Sequence, residues 1–153
     1  MLVPSDEEWA NSKWLFLKRP SPKVFGGLVE DAVQDWLGAS SRASSDHDIR
    51  LGSMRIEIKA ATSNRGKFIF NQIRADQDYS HALLVGFTPT DARAWLMTKD
   101  AALAASKPQH ARSAGIRVLI FALDDPPASA RPRDGSLAGL RVMLPGSEAF
   151  PFA

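Results

Sequence analysis

The sequence predicts an α/β domain in which helices flank a central mixed β-sheet. Apolar residues recur at helical spacing over Lys23–Leu37. Over His47–Thr62 they alternate with polar residues, as in a half-buried pair of strands. His81–Phe87 is almost continuously apolar, which is typical of a central strand buried on both faces. Because 153 residues suit one domain, we expect a single domain over 1–153 with its core at about 23–123.

The composition excludes several kinds of site and suggests a location. The chain has no cysteine, which excludes disulfides, thiolate metal sites and cysteine nucleophiles. His47, His81 and His110 show no metal-ligand spacing, so a zinc site is not expected. No stretch approaches the roughly 18 apolar residues of a membrane span, and the N-terminus is acidic where a secretory signal would be basic. We therefore expect a cytoplasmic protein with no membrane partner.

Two helices are expected before the hairpin. Ser5-Asp6-Glu7-Glu8 is a capping box, which predicts an N-terminal helix over about 5–17. Pro20 and Pro22 break this helix. The second helix covers Lys23–Leu37 and ends at Gly38, a residue that suits the position after a helix C-terminus.

The stretch from 47 to 62 is predicted to fold as a β-hairpin. Gly52-Ser53 supplies the turn between its two alternating runs. Since successive side chains of a strand point to opposite faces, Ile56 faces the core while Glu57 faces away from it. The hairpin can then bring Asp48 beside Glu57.

Further elements follow along the chain. A short strand or a strand-to-helix transition is expected around Phe68, and strands are expected at 81–87, 92–98 and 116–123. An alanine-rich helix is predicted over 99–106, and a Pro-rich loop, expected to be exposed, at about 124–136.

The predicted pairing of Asp48 with Glu57 has a chemical consequence. Two carboxylates held close together raise each other's pKa unless a cation neutralises them, and Mg²⁺ is a hard ion that takes oxygen ligands. Lys59 lies on the same face as Glu57, where an ammonium can orient a water molecule for attack on phosphorus. The alternative is an exposed hairpin face whose charged residues are merely solvated.

The spacing of these residues resembles the active-site signature of the PD-(D/E)XK nuclease superfamily. Asp48 is followed after eight residues by Glu57-Ile58-Lys59 and then by Ala60-Ala61-Thr62. The resemblance covers about 24–98, and His47 stands where the family name expects proline. It implies a restriction endonuclease-like core and metal-dependent hydrolysis of phosphodiester bonds.

The resemblance also implies roles for individual residues. Asp48 and Glu57 would bind Mg²⁺ together with the backbone carbonyl of Ile58, and Mn²⁺ is expected to substitute for Mg²⁺. Lys59 would position the attacking water. Glu30 on the second helix would complete the metal site, with Asp31 as the fallback, and the alternative for Glu30 is a solvated helix acid. Gln72 would support the catalytic strand.

A nucleic acid is the expected partner. Asn64, Arg65 and Lys67 form a basic turn, and Arg74 follows on the next element, so all four are candidates for phosphate contact. The alternative for the turn is an ordinary solvated turn. The function predicted is a restriction-type, Mg²⁺-dependent endonuclease acting on double-stranded DNA, as a homodimer or with a separate recognition subunit. An RNA-cleaving, toxin-like nuclease and an inactive nucleic-acid-binding module of the same fold are the alternatives.

Overall fold

The computed structural model describes residues 7–12, 15–18, 20–37, 48–90, 92–109, 115–132, 140–141 and 151–152. These residues form a mixed α/β structure, as predicted. The α-helices are α1 (Pro22–Leu37) and α2 (Lys99–Ala105), and a 3₁₀ helix covers Leu15–Lys18. The strands are β1 (Ile49–Leu51), β2 (Met54–Thr62), β3 (Lys67–Arg74), β4 (His81–Phe87), β5 (Ala92–Thr98), β6 (Lys107–Pro108), β7 (Ile116–Ala122), β8 (Arg131–Pro132), β9 (Leu140–Arg141) and β10 (Pro151–Phe152).

The central sheet has five strands in the order β1-β2-β4-β5-β8. Strand β2 pairs in parallel with β4, and the other pairs in this sheet are antiparallel. The predicted mixed sheet is therefore confirmed. Strand β8 lies inside the segment predicted as an exposed loop, and Ala130 just before it is buried. Pro132 in β8 occupies an edge strand, where proline is tolerated because no ladder bond from its nitrogen is needed.

Two apolar layers cover the two faces of the central sheet. On one face α1 packs against β2 and β4, with Val29 and Val33 of the helix in the same cluster as Ile56 and Ile58. On the other face lies a second sheet of three strands in the order β3-β7-β6. Helix α2 packs in the same layer as this sheet. The predicted flanking helices are thus present, but a second sheet forms much of the second layer. The restriction endonuclease-like core remains a prediction.

Strand β3 of this second sheet has one buried face and one exposed face. Phe68 and Phe70 are fully buried, whereas Ile69 between them is exposed. This period of two is typical of a strand with one buried face, and β3 pairs antiparallel with β7. The segment around Phe68 is therefore a strand and not the start of a helix.

The N-terminal segment differs from the continuous helix predicted over about 5–17. Among the described residues here, Glu7 is helical, turns follow to Asn11, and a 3₁₀ helix begins at Leu15. Ser5, the predicted capping residue, lies outside the described residues. Trp9 is completely buried and its indole Nε1 donates to the Ser63 carbonyl at 3.2 Å. Tertiary packing of this tryptophan therefore sets the local conformation.

Candidate functional site

The hairpin places Asp48 at the edge of β2. Within the hairpin, Ile49 of β1 pairs with Ile56 of β2. Gly52 in the turn has a positive φ of 59°. The Asp48 amide donates to the Ile56 carbonyl at 2.9 Å, and its carboxylate Oδ2 accepts from the Ile58 amide at 2.7 Å. The Asp48 carboxylate therefore takes the place of a main-chain acceptor where the described pairing of β1 with β2 ends. Its position is fixed by backbone on both sides.

The backbone of Ile58 points toward the same edge as Asp48. In a strand, the N–H and C=O groups of one residue point to the same neighbour. Because the Ile58 amide is bonded to Asp48 Oδ2, the Ile58 carbonyl oxygen is directed to this edge as well. Two hard oxygen donors thus face one side of β2.

Glu57 and Lys59 lie on the face of β2 that points away from α1. They alternate with Ile56 and Ile58, which pack in the cluster that contains α1 residues. Lys59 Nζ lies 3.5 Å from Glu57 Oε1, and the side chain of Glu57 is only 11% exposed. The predicted meeting of Asp48, Glu57 and Lys59 is therefore present in the structure.

The electrostatics of this cluster are unbalanced. Burial, followed by the charge and hydrogen bond of Asp48, raises the pKa of Glu57 from 4.5 to about 8, although Lys59 acts to lower it. One ammonium thus does not neutralise the two carboxylates. A hard divalent cation takes oxygen ligands and would supply the positive charge that the two carboxylates lack. The two carboxylates and the Ile58 carbonyl therefore fit such a cation.

Tyr79 lies near enough to Glu57 for the charge of that carboxylate to act on its hydroxyl. It is buried, its hydroxyl donates to the Arg74 carbonyl at 2.8 Å, and Lys99 Nζ lies 4.8 Å from its ring centroid. Burial and then the charge of Glu57 raise the pKa of Tyr79 to about 12, so its hydroxyl stays protonated. Sequence reasoning missed Tyr79, although it is the single tyrosine of the chain and lies two residues before the start of β4.

Two predicted site residues lie apart from this cluster. Glu30 is half-buried on α1, which packs on the opposite face of the sheet from Glu57. In the part of the chain that the structure describes, no group of three or more histidine, aspartate and glutamate side chains could hold a metal ion. Gln72 is exposed in a β-bulge with a positive φ of 57°, and its amide donates to Gln109 Oε1 at 3.1 Å. The roles of Glu30 and Gln72 remain predictions.

The predicted basic turn is exposed but lies far along the strand. Arg65 and Gly66 have positive φ values of 53° and 79°, as in a tight hairpin turn, and the Arg65 amide donates to Glu8 Oε1 at 3.1 Å. Asn64 is seven residues beyond Glu57, which corresponds to roughly 20 Å of strand. The turn from Asn64 to Lys67 is therefore not beside the acidic pair.

The Arg74 carbonyl accepts from Tyr79, and the Arg74 guanidinium already has a partner. Its Nε and Nη2 donate to the two carboxylate oxygens of Asp76 at 3.0 and 2.9 Å. This bidentate ion pair raises the pKa of Arg74 and lowers that of Asp76. The local charge of Arg74 is thus compensated before any ligand binds.

Comparison of the chain with protein-family models gives no match, and comparison with curated proteins gives none either. The PD-(D/E)XK assignment therefore remains a resemblance carried by the residues of the hairpin. Among the described helices, none is long and apolar enough to cross a membrane.

Proposed function

We propose that this chain is a Mg²⁺-dependent endonuclease that hydrolyses phosphodiester bonds in double-stranded DNA. The observation that supports it is the meeting of Asp48, Glu57 and Lys59 on one hairpin face, with Glu57 partly buried beside a second carboxylate. A solvated charged stripe would not need burial of the central carboxylate. The spacing of the three residues is the one that resembles the nuclease signature.

The residues of the hairpin have distinct tasks in this proposal. Asp48 and Glu57, with the Ile58 carbonyl, hold Mg²⁺. When bound, the ion lowers the pKa of a water molecule and stabilises charge on the phosphoryl oxygens. The ammonium of Lys59, fixed beside Glu57, donates hydrogen bonds that orient the attacking water and hold negative charge at phosphorus. No side chain needs to act as the nucleophile.

Cleavage of supercoiled plasmid tests the proposal. We expect nicking or linearisation with Mg²⁺ or Mn²⁺ and none with EDTA, at low salt so that backbone contacts persist. Glu57→Gln and Lys59→Ala should each reduce the rate by about 100-fold or more, since each removes transition-state stabilisation. Asp124→Asn and Lys107→Ala change the same charges at exposed positions and should cleave like wild type.

Three results would contradict the proposal. Cleavage that survives both Glu57→Gln and Lys59→Ala would show that the activity comes from elsewhere. Failure of Mg²⁺ to bind the wild-type chain, measured by calorimetry, would favour an inactive module of the same fold. Metal-dependent cleavage of RNA with none of DNA would support the toxin-like alternative.

The oligomeric state belongs to the same proposal. We propose that the chain acts as a homodimer or with a separate recognition subunit, because most of the residues that the structure describes belong to the two sheets and the helices that support the candidate site. Light scattering of the free protein and of its DNA complex separates these cases. A monomer in both states would exclude the homodimer.

A further inference from the structure

We infer that Arg50 and Arg55 form a phosphate-binding site for the DNA strand, directly beside the acidic pair. In this inference Asp78 is the ion-pair partner of Arg55 until DNA binds. This inference rests on the proposed nuclease function for the identity of its ligand. It assigns substrate contact to residues other than the basic turn and Arg74.

The register of the hairpin places the two arginines opposite each other. Arg50 pairs with Arg55, and the neighbouring pair Ile49 and Ile56 is buried in the cluster that contains α1 residues. Since successive side chains alternate, both arginines occupy the other face, which is the face of Glu57. One face of the hairpin thus carries a row of two carboxylates and, roughly 7 Å further along the strand, a row of two guanidinium groups.

The backbone beneath Arg55 is firmly held. Its amide donates to Ser80 Oγ at 2.9 Å, and its carbonyl accepts from the Ser80 amide at 2.8 Å. The Ser80 hydroxyl also contacts this carbonyl at 3.2 Å. These bonds fix the position of Arg55 relative to Glu57, two residues along the same strand, so the distance between metal ligand and guanidinium is set by the sheet.

The guanidinium of Arg55 is only partly satisfied. Arg55 Nη2 lies 3.2 Å from Asp78 Oδ1, while Nε is buried and has no hydrogen-bond partner among the described residues. The side chain of Asp78 is 71% exposed, and such exposed ion pairs contribute little. Arg74, by contrast, uses both Nε and Nη2 on Asp76. The carboxylate partner of Arg55 is therefore more easily exchanged than that of Arg74.

Phosphate is the ligand that this arrangement favours. Two guanidinium groups on directly opposite residues of paired strands can both donate hydrogen bonds to one anion placed between them. The planar guanidinium fork binds phosphate oxygens through two parallel hydrogen bonds. Because the phosphates of one strand follow each other in series, a phosphate held here places a neighbouring one toward Asp48 and Glu57.

DNA binding without cleavage tests this inference. The affinity of a labelled DNA duplex is measured by fluorescence anisotropy in EDTA over a series of salt concentrations. Arg55→Gln should weaken binding several-fold and reduce the salt slope by about 1, the effect of one lost phosphate contact. Lys107→Gln removes the same charge at an exposed position outside the candidate site and should leave both quantities near wild type.

A double-mutant cycle makes the test specific to the exchange of partners. Asp78→Asn should tighten DNA binding, because it releases Arg55, and the gain should disappear when Arg55→Gln is also present. An aspartate that repels DNA only through its net charge would give the same gain in both backgrounds, as Asp124→Asn should. Such an equal gain, or equal effects of Arg55→Gln and Lys107→Gln, would overturn the inference.

Folding and cleavage are followed in the same variants. If Arg55→Gln unfolds, Arg55→Lys takes its place; it should weaken binding while keeping the wild-type salt slope, and wild-type affinity would overturn the inference. Arg55-dependent binding without Mg²⁺-dependent cleavage would refute the nuclease proposal alone. If the wild type cleaves DNA and Arg55→Gln cleaves it with the same KM, the phosphate site alone would be refuted.

Discussion

The burial of Glu57 predicts an unusual pH dependence for the stability of the metal-free protein. Its pKa is about 8 in the folded chain, against an ordinary value of 4.5. The folded state therefore retains a proton over a pH range in which the unfolded state has lost it. The resulting stabilisation is fully present below about pH 4.5 and is lost as the pH rises through about 8.

The magnitude follows from the size of the shift. Each pKa unit corresponds to 1.36 kcal/mol, so the free energy of unfolding should fall by about 3 to 5 kcal/mol across this range. That is a large fraction of the roughly 5 to 15 kcal/mol that stabilises a small domain. The stability of this protein should therefore fall toward mildly alkaline pH in EDTA.

Urea unfolding in EDTA at several pH values measures this effect. Glu57→Gln keeps the shape of the side chain but cannot ionise, so its free energy of unfolding should vary much less between about pH 5 and about pH 8. Asp124→Asn is exposed and should keep the wild-type dependence. An equal pH dependence in wild type and Glu57→Gln would show that Glu57 is not the titrating group.

Mg²⁺ should reverse the loss at high pH. An ion held by the ionised pair stabilises the folded chain in proportion to its occupancy, and binding requires deprotonated carboxylates. The increase in Tm on adding Mg²⁺ should therefore be larger near pH 8 than near pH 5. An increase of the same size at both pH values, or in Glu57→Gln, would refute this coupling.

Two substitutions away from the site test the packing that supports it. A Cβ added at Gly86 would lie 2.8 Å from Phe68 Cε1. Gly86→Ala should therefore lower the free energy of unfolding by about 1 to 3 kcal/mol in urea titrations. If this clash is the cause, adding Phe68→Leu should recover part of the loss. Thr98 caps α2 by accepting from the Ala101 amide at 3.2 Å, so Thr98→Ala should lower the free energy of unfolding by about 1 kcal/mol. Thr98→Ser keeps the hydroxyl and should lower it much less. Equal losses in the two variants would exclude the cap as the reason.

The elements with a strong local pattern were predictable from the sequence. The helix ending at Leu37, the turn at Gly52 and the strands His81–Phe87 and Ala92–Thr98 agree with the structure. In each, the apolar period or the turn residue and the tertiary environment favour the same conformation. The hairpin was the most informative element, because its register alone places Asp48 next to Glu57.

The parts that were not predictable depend on contacts between distant segments. The path of the N-terminal segment follows from the bond between Trp9 and Ser63, which are 54 positions apart. Nothing in the local pattern of Lys67–Arg74 specifies that its sheet covers the second face. The pairing of Arg74 with Asp76 and of Arg55 with Asp78 was not predictable either, since the sequence gives the number of charges and not their partners.

The register of the hairpin links the candidate metal site to the candidate phosphate site. A shift by one residue would move Glu57 to the face of α1 and would separate both charged pairs at once. The Asp48 carboxylate opposes such a shift, because its bond to the Ile58 amide exists only in the observed register. Replacing Asp48 would therefore remove a metal ligand and also weaken the alignment of Arg50 with Arg55. For this reason Glu57→Gln, which leaves the bond from Ile58 to Asp48 in place, is the better substitution for separating loss of chemistry from loss of structure.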